Sequence, residues 1–250
     1  ICVKDAFGTA HRAQASTEGV ARFAPIACAG PLLMDELEAL GKALDKPERP
    51  IVAIVGGAKV SSKLEVLVAL SEKVDGLIVG GGIANTFLAA SGVNVGRSLV
   101  ELDLVGIARD LLEKVDIPIP TDVVVAKEMN QAARATIKQV QDIEDSDMIL
   151  DVGPDTSARM SEIIASAKTI VWNGPLGAYD HPACSYYAEG SLELAKLLFQ
   201  MALIDSKLSV VIGGGDSAAI LNKIGVTELK KMIKAQIEKQ FPSTINRNQI

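Results

Sequence analysis

The chain has 250 residues and a formal net charge of −6, and this acidic balance excludes a general nucleic-acid binder. Its 48% hydrophobic and 4% aromatic content favours an α/β domain built on a parallel sheet, and no apolar run is long enough to span a membrane. The three cysteines, Cys2, Cys28 and Cys184, are odd in number and lack a metal-binding spacing, which favours the cytoplasm over export.

A short apolar run followed by glycine and a helical pattern recurs along the chain. The runs are Ile51–Val55, Gly76–Val79, Met148–Val152, Thr169–Trp172 and Ser209–Ile212, and Val123–Val125 begins another apolar segment. Strands that alternate with helices predict right-handed crossovers and a doubly wound, mostly parallel sheet with helices on both faces. The glycine-rich loops would then lie along the edge where the strands end, and their number there exceeds what turn geometry requires.

Two lysines follow the glycines after the first of these strands. Lys59 and Lys63 come just after Gly56-Gly57, and the pattern predicts a helix over residues 61–73 that carries both lysines on one face near its start. Two ammonium groups beside a glycine-rich edge suit a polyphosphate ligand. The alternative is that they are ordinary surface lysines. The P-loop pattern is absent.

The stretch Ser209–Ile220 (SVVIGGGDSAAI) predicts a strand, a glycine turn and a helix. The amides and the dipole of such a helix N-terminus attract anions. Asp216 would repel a phosphate unless a cation lies between them, so the pattern favours a phosphate together with Mg²⁺. The alternative is a plain turn in which Asp216 or Ser217 caps the helix.

The same glycines also match a dinucleotide-binding fingerprint. The match runs from Gly213 through Gly215 to Ala218. Asp216 would face the pyrophosphate, and the acidic residue expected about 20 positions later would fall in a lysine-rich stretch that is predicted to be helical. The sequence therefore disfavours a nicotinamide cofactor.

Six motifs occur in the order and spacing of one known family. They are DAFGTAHRAQAST (Asp5–Thr17), GGAKVSSK (Gly56–Lys63), GGGIANTF (Gly80–Phe87), LDVGP (Leu150–Pro154), WNGPLG (Trp172–Gly177) and GGGDS (Gly213–Ser217). Over residues 1–228 the chain thus resembles the phosphoglycerate kinases. The resemblance implies a cytoplasmic, usually monomeric glycolytic enzyme that transfers a phosphoryl group between 1,3-bisphosphoglycerate and ADP, giving 3-phosphoglycerate and ATP, with Mg²⁺.

The resemblance also implies a domain organisation. Residues 1–32 would be the end of the N-terminal, substrate-binding lobe, and residues 33–228 most of the nucleotide-binding lobe, with a helix over residues 33–44 joining the two. Residues 229–250 match nothing in the family and predict an amphipathic helix with a polar end. The chain begins at Ile1 in the middle of a pattern, so we expect it to be a piece of something longer.

Roles for individual residues follow from the resemblance. Lys59 and Gly215 would act on the transferring phosphoryl group, Asp216 would hold the Mg²⁺, and Asp180 would bind the ribose. Arg12 would bind the 3-phosphoglycerate end. The nucleotide-binding set as a whole would be Ala58, Lys59, Lys63, Gly81, Gly82, Gly153, Asn173, Pro175, Gly177, Asp180, Gly213, Gly214, Gly215, Asp216 and Ser217.

The chain departs from the family pattern in the part that binds the acid substrate. Most of the first lobe is missing, and Gln14 stands where the family has a second histidine. We interpret His181 as a surface residue. Because these contacts are missing, a second hypothesis is a non-catalytic remnant that binds only a nucleotide or a partner.

Overall fold

The computed structural model describes residues 1–6, 13–44, 47–130, 134–180 and 185–240. The chain divides into two compact units, residues 1–47 and 48–250. The smaller unit contains β1 (Cys2–Lys4), a π-helical turn (Ala15–Gly19), α1 (Val20–Phe23), β2 (Ala27–Ala29) and α2 (Pro31–Leu44). Strands β1 and β2 pair in parallel. The helix predicted over residues 33–44 is confirmed as α2.

The larger unit alternates strands and helices. Its elements are β3 (Ile51–Val55), α3 (Leu64–Ser71), β4 (Gly76–Val79), α4 (Gly81–Ala90), α5 (Val105–Lys114), β5 (Asp122–Ala126), β6 (Thr136–Gln139), β7 (Met148–Val152), α6 (Pro154–Ala165), β8 (Thr169–Asn173), α7 (Glu189–Ile204), β9 (Ser209–Gly213) and α8 (Gly215–Gln240). Helix α8 is interrupted at Gly225, where φ is +73°. The helix predicted in the tail is present up to Gln240.

A four-stranded parallel sheet forms the centre of this unit, in the order β4-β3-β8-β9. On one face Ile54, Ile170 and Trp172 pack with side chains of α6, α7 and α8. Because side chains alternate along a strand, the buried Ile51 and Ala53 point to the other face. The predicted α/β class, with a parallel sheet flanked by helices, is confirmed.

Two of the predicted strands lie outside this sheet. Strands β5 and β7 form a separate antiparallel sheet with β6, in the order β6-β5-β7. A parallel crossover needs a dozen or more residues, usually a helix, whereas the described parts of the connections 127–135 and 140–147 contain only a short 3₁₀ turn. The expectation that Val123–Val125 and Met148–Val152 belong to the parallel sheet is therefore wrong.

Candidate functional site

The strands of the parallel sheet end side by side. Val55 lies opposite both Val79 and Asn173, and Asn173 lies opposite Gly213. The loops that follow these strands therefore start at a common edge, as the sequence predicts. In a doubly wound sheet this edge is where ligands bind.

The loops at this edge pack backbone against backbone. A Cβ added to Gly56 would lie 1.9 Å from the carbonyl oxygen of Pro175, and one added to Gly82 would lie 2.1 Å from that of Ala58. Gly81 adopts a φ of +62°, which other residues rarely adopt. These glycines are therefore required for the loops to approach one another.

An open cleft of about 610 Å³ lies beside these loops, a volume typical of small-molecule sites. It is lined by the predicted residues Ala58, Gly81, Gly82, Pro175, Gly177, Asp180 and Asp216. Its wall also contains Asn85, Leu88, Leu99, Val123, Ile149, Leu150 and Tyr179, for which the sequence predicted no role. The cleft thus combines exposed backbone, apolar side chains and three carboxylates, those of Asp151, Asp180 and Asp216.

Lys63 lies at the base of the loop after β3. Its ammonium group donates to the carbonyl oxygens of Gly56 at 2.7 Å and of Asn173 at 3.1 Å, and to Oδ1 of Asn173 at 2.6 Å. Burial lowers the pKa of Lys63, and the negative charge of Asp216 opposes this shift. Asn173 also lies beside the Gly214 turn that leads into Asp216, so Lys63 and Asp216 lie at the same edge of the sheet, as the nucleotide hypothesis requires.

The prediction that Lys59 and Lys63 share a face at the start of a helix is wrong. Helix α3 begins only at Leu64, because the residues before it form a turn in which Ser61 donates to the carboxylate of Glu101 through its amide and hydroxyl. Lys59 is exposed on this turn. Its charge contributes, after the Ser61 hydrogen bonds, to the lowered pKa of Glu101.

The turn between β9 and α8 has the predicted form. Gly214 has a φ of +90°, and a Cβ there would lie 3.4 Å from Oδ1 of Asn173. The helix begins at Gly215, so Asp216 and Ser217 lie within its first turn and not at the capping position before it. The hydroxyl of Ser217 instead accepts a hydrogen bond from the amide of Gly174 at 2.7 Å.

Asp216 faces the cleft and is held by a neighbouring tyrosine. The hydroxyl of Tyr179 donates to Oδ1 of Asp216 at 3.0 Å. Burial raises the pKa of Tyr179 to about 12, and the hydrogen bond and charge of Asp216 add to this effect. The tyrosine is therefore a protonated donor at neutral pH.

Comparison with known proteins identifies the family. Residues 1–234 match the family model described as phosphoglycerate kinase. The chain belongs to the phosphoglycerate kinase family. The structure of phosphoglycerate kinase from Coxiella burnetii shares 44% sequence identity with it at a TM-score of 0.76, over 94% of this chain and 62% of the other. Phosphoglycerate kinase from Pyrococcus horikoshii OT3 shares 28% sequence identity with the chain at a TM-score of 0.73, and the match covers 95% of this chain and 64% of the other.

This chain thus spans less than two thirds of the length of these two phosphoglycerate kinases. The predicted substrate-binding residue Arg12 and the predicted surface residue His181 lie outside the described residues. In the part of the chain that the structure describes, no helix is both long and apolar enough to cross a membrane.

Gly153 is one site residue, predicted from the phosphoglycerate kinase motifs, that the structure does not bring into the cleft. It precedes α6 and follows β7, and its amide donates to the carbonyl oxygen of Asp122 at 3.0 Å. A Cβ added to it would lie 2.3 Å from the carboxylate of Asp122. The cleft wall on this side is formed by Ile149 and Leu150 of the same motif region.

Asp151 is a buried carboxylate in the cleft wall of this phosphoglycerate kinase family member. The sequence analysis did not predict it as a site residue. It is 2% exposed and accepts hydrogen bonds from the amides of Val152 and Gly190 at 2.9 Å each. Burial raises its pKa to about 7, the two amides oppose the shift, and the charges of Glu189 and Glu193 add to it. A charged residue within the apolar run MILDV was the available signal.

We expect Asp151→Asn to flatten the dependence of stability on pH. The carboxyl group has a native pKa of about 7, above its ordinary value of 3.8, so it contributes stability below pH 4 that is lost as the pH rises to 7. The slope is at most about 1.4 kcal/mol per pH unit. Urea unfolding between pH 5 and 7 measures it. Asp110→Asn, on an exposed site of α5, should keep the original slope, and an unchanged slope in Asp151→Asn would contradict the assignment.

Proposed function

We propose that the cleft binds a magnesium-bound adenine nucleotide, ADP or ATP, and that the chain is part of an enzyme that transfers a phosphoryl group between 1,3-bisphosphoglycerate and ADP. The proposal depends mainly on one observation. The ammonium group of Lys63 donates to Asn173, which lies beside the Gly214 turn that leads into Asp216, at the common edge of the sheet and beside a glycine-lined cleft of about 610 Å³. A cation for phosphates and a carboxylate for a metal are what a magnesium nucleotide needs.

The proposed phosphate subsite lies at the start of α8. The amides of Gly214, Gly215 and Asp216 begin this helix, where free N–H groups and the dipole favour an anion. Gly213 and Ser217 flank the subsite, and Lys63 would supply a positive charge. Ser217 acts through the loop, since its hydroxyl fixes the amide of Gly174.

The remaining predicted residues divide between the base, the ribose and the reacting group. Gly81, Gly82, Pro175 and Gly177 line the cleft and would contact the base, while Asp180 would accept hydrogen bonds from the ribose hydroxyls. Ala58, Gly153 and Asn173 would support this wall from its edges. Lys59 and Gly215 would stabilise the transferring phosphoryl group, because charge redistributes there during transfer.

Asp216 fits a magnesium ion that arrives with its nucleotide. Its carboxylate is exposed at the cleft, and the described residues contain no cluster of three or more metal-ligating side chains. Magnesium in nucleotide sites is usually bound by one or two carboxylates together with phosphates and water. When bound, it would neutralise phosphate charge. The residues of this chain would orient the nucleotide and exclude water from it.

The acid substrate, 3-phosphoglycerate or 1,3-bisphosphoglycerate, would bind through Arg12 and through contacts that this chain does not contain. We propose glycolysis as the pathway, the cytoplasm as the location and a monomer as the functional state. We further propose residues 1–32 as the end of the substrate-binding lobe, residues 33–228 as most of the nucleotide-binding lobe and residues 229–250 as an amphipathic tail. The alternative is that this chain, on its own, is a non-catalytic remnant that binds only a nucleotide or a partner.

Calorimetric titration with ADP and Mg²⁺, paired with a coupled kinase assay, tests the proposal. We expect ADP to bind with little turnover, because many charged contacts to the transition state are missing and each contributes a few kcal/mol. Full turnover would show that the chain is an active kinase on its own. The absence of ADP binding would contradict the proposed site.

We expect Asp216→Asn to reduce the advantage of magnesium-bound ADP over free ADP by about tenfold, since a neutral amide is a weaker magnesium ligand than a carboxylate. Titrations of the variant with Mg²⁺ and with a chelator measure this ratio. Asp110→Asn, which changes an exposed carboxylate of α5, is the matched control and should leave the ratio unaltered. An undiminished ratio in Asp216→Asn would remove this residue from the metal site.

A further inference from the structure

Lys63, just before α3, and Asp216, in the first turn of α8, carry opposite charges but are not paired. The ion pairs of the described residues do not include one between them, although Asp216 influences the pKa of Lys63. A direct pair would neutralise the two groups and compete with a ligand that needs both charges. In the free protein each of the two groups is instead held by neutral partners.

Lys63 is held by neutral acceptors. An ammonium group has three donors, and the carbonyl oxygens of Gly56 and Asn173 and the side-chain oxygen of Asn173 provide three acceptors within 3.1 Å. These acceptors carry no net charge, so the positive charge of Lys63 is not cancelled. They fix the side chain but leave its field available to an anion.

Asp216 is held by Tyr179, whose hydroxyl donates to Oδ1 at 3.0 Å. Tyr179 belongs to the loop after β8 and is 8% exposed. A hydrogen bond from a neutral donor to a carboxylate orients it and keeps its charge. The second oxygen of the carboxylate is then free to be presented to the cleft that Asp216 lines.

The same helix that carries Asp216 also fixes Tyr179. Lys223 lies seven residues after Asp216 on α8 and therefore on the same face. Its ammonium group donates to the carbonyl oxygen of Tyr179 and lies 4.9 Å from the centre of the tyrosine ring, within cation–π range. Tyr179 is thus bound to α8 through its hydroxyl, its ring and its backbone.

From this geometry we propose that Tyr179 is a positioning residue that orients the Asp216 carboxylate and aims it at the metal of a bound nucleotide. This inference rests on the proposed function, since it assumes a magnesium-bound nucleotide in the cleft. Tyr179 does not itself touch the nucleotide phosphates in this role. It acts through Asp216.

Tyr179→Phe removes only the hydroxyl and keeps the ring under Lys223. We expect the ratio of the affinities for ADP with Mg²⁺ and for ADP with a chelator to fall by roughly three- to tenfold, as for loss of a hydrogen bond to a charged group. The affinity for free ADP should change little. A purely structural role would weaken both affinities equally, so the ratio distinguishes positioning from folding.

A double-mutant cycle makes the test specific. In the Asp216→Asn background, Tyr179→Phe should cause no further loss of the ratio, because the charge through which it acts is absent. Lys223→Met, which loosens Tyr179 but keeps its hydroxyl, should lower the ratio in the same direction by a smaller factor. An unchanged ratio in Tyr179→Phe would overturn the inference and leave the proposed site intact. If the unmodified chain shows no magnesium-dependent ADP binding, the proposed function itself fails.

Discussion

Lys63→Met is expected to weaken ADP binding by about 100-fold, which corresponds to ~3 kcal/mol at 25 °C. The ammonium group is partly buried beside the cleft edge, where water screens its charge less than at the surface. Methionine keeps most of the length of the side chain and removes the charge. Calorimetric titration with ADP and Mg²⁺ measures the loss.

The control for Lys63→Met is Lys114→Met, which removes an exposed ammonium group from the last turn of α5. This variant should bind ADP as the unmodified chain does. Lys63→Met also removes the donor to Gly56 and Asn173, so some stability will be lost, about 1–3 kcal/mol. Cooperative unfolding of the variant, followed by circular dichroism, shows that the binding loss is not unfolding. Wild-type ADP affinity in Lys63→Met would contradict the phosphate subsite.

The strands of the parallel sheet could be predicted from sequence because their signal is local. Ile51–Val55 and Gly76–Val79 are confirmed with the predicted bounds, since continuous apolar runs that end in glycine are typical of buried parallel strands. The turn at Gly213–Gly215 could also be predicted, because its signal, an apolar run that ends in glycines, is local. The convergence of the loops followed from topology, because parallel strands end at one edge.

The antiparallel sheet could not be predicted in this way. The strand β6 (Thr136–Gln139) is short, polar and mostly exposed, so it lacks the hydrophobic pattern that marks a strand. Without β6, the run Met148–Val152 looks like another parallel strand. Its partner is decided by the connections, which are too short for a crossover helix, and not by its own residues.

Tyr179 illustrates a second limit of sequence reasoning. Its neighbours Gly177 and Asp180 are predicted site residues, but nothing in the sequence pairs Tyr179 with Asp216, which is 37 positions away along the chain. For Lys59 and Lys63 the local pattern gave a wrong prediction. Their spacing suggested a helix face, but the hydrogen bonds between Ser61 and Glu101 hold the segment as a turn. The local sequence pattern predicts only the edge of the sheet at which the site lies. The arrangement of its side chains depends on hydrogen bonds between segments that are distant in the sequence.

Gly174→Ala is expected to cost about 3–5 kcal/mol of stability and to disturb the proposed nucleotide site. Gly174 has a φ of +96°, and an added Cβ would lie 2.2 Å from the carbonyl oxygen of Gly56 and 2.6 Å from the ammonium nitrogen of Lys63. The peptide cannot easily move away, because its amide donates to Ser217 and its carbonyl accepts from Trp172, both at 2.7 Å. The clash must therefore push Lys63 or the Gly56 loop.

Gly92→Ala separates the two causes of this loss. Gly92 has a similar φ of +82°, but an added Cβ would meet nothing within 4 Å, so this variant should lose only the backbone strain of about 1–2 kcal/mol and bind ADP normally. Urea unfolding gives the stability difference between the two variants, and ADP titration shows whether Lys63 has moved. Equal losses of stability in the two variants, with ADP binding retained in Gly174→Ala, would mean that the loops after β3 and β8 are not packed together and do not position the ammonium group.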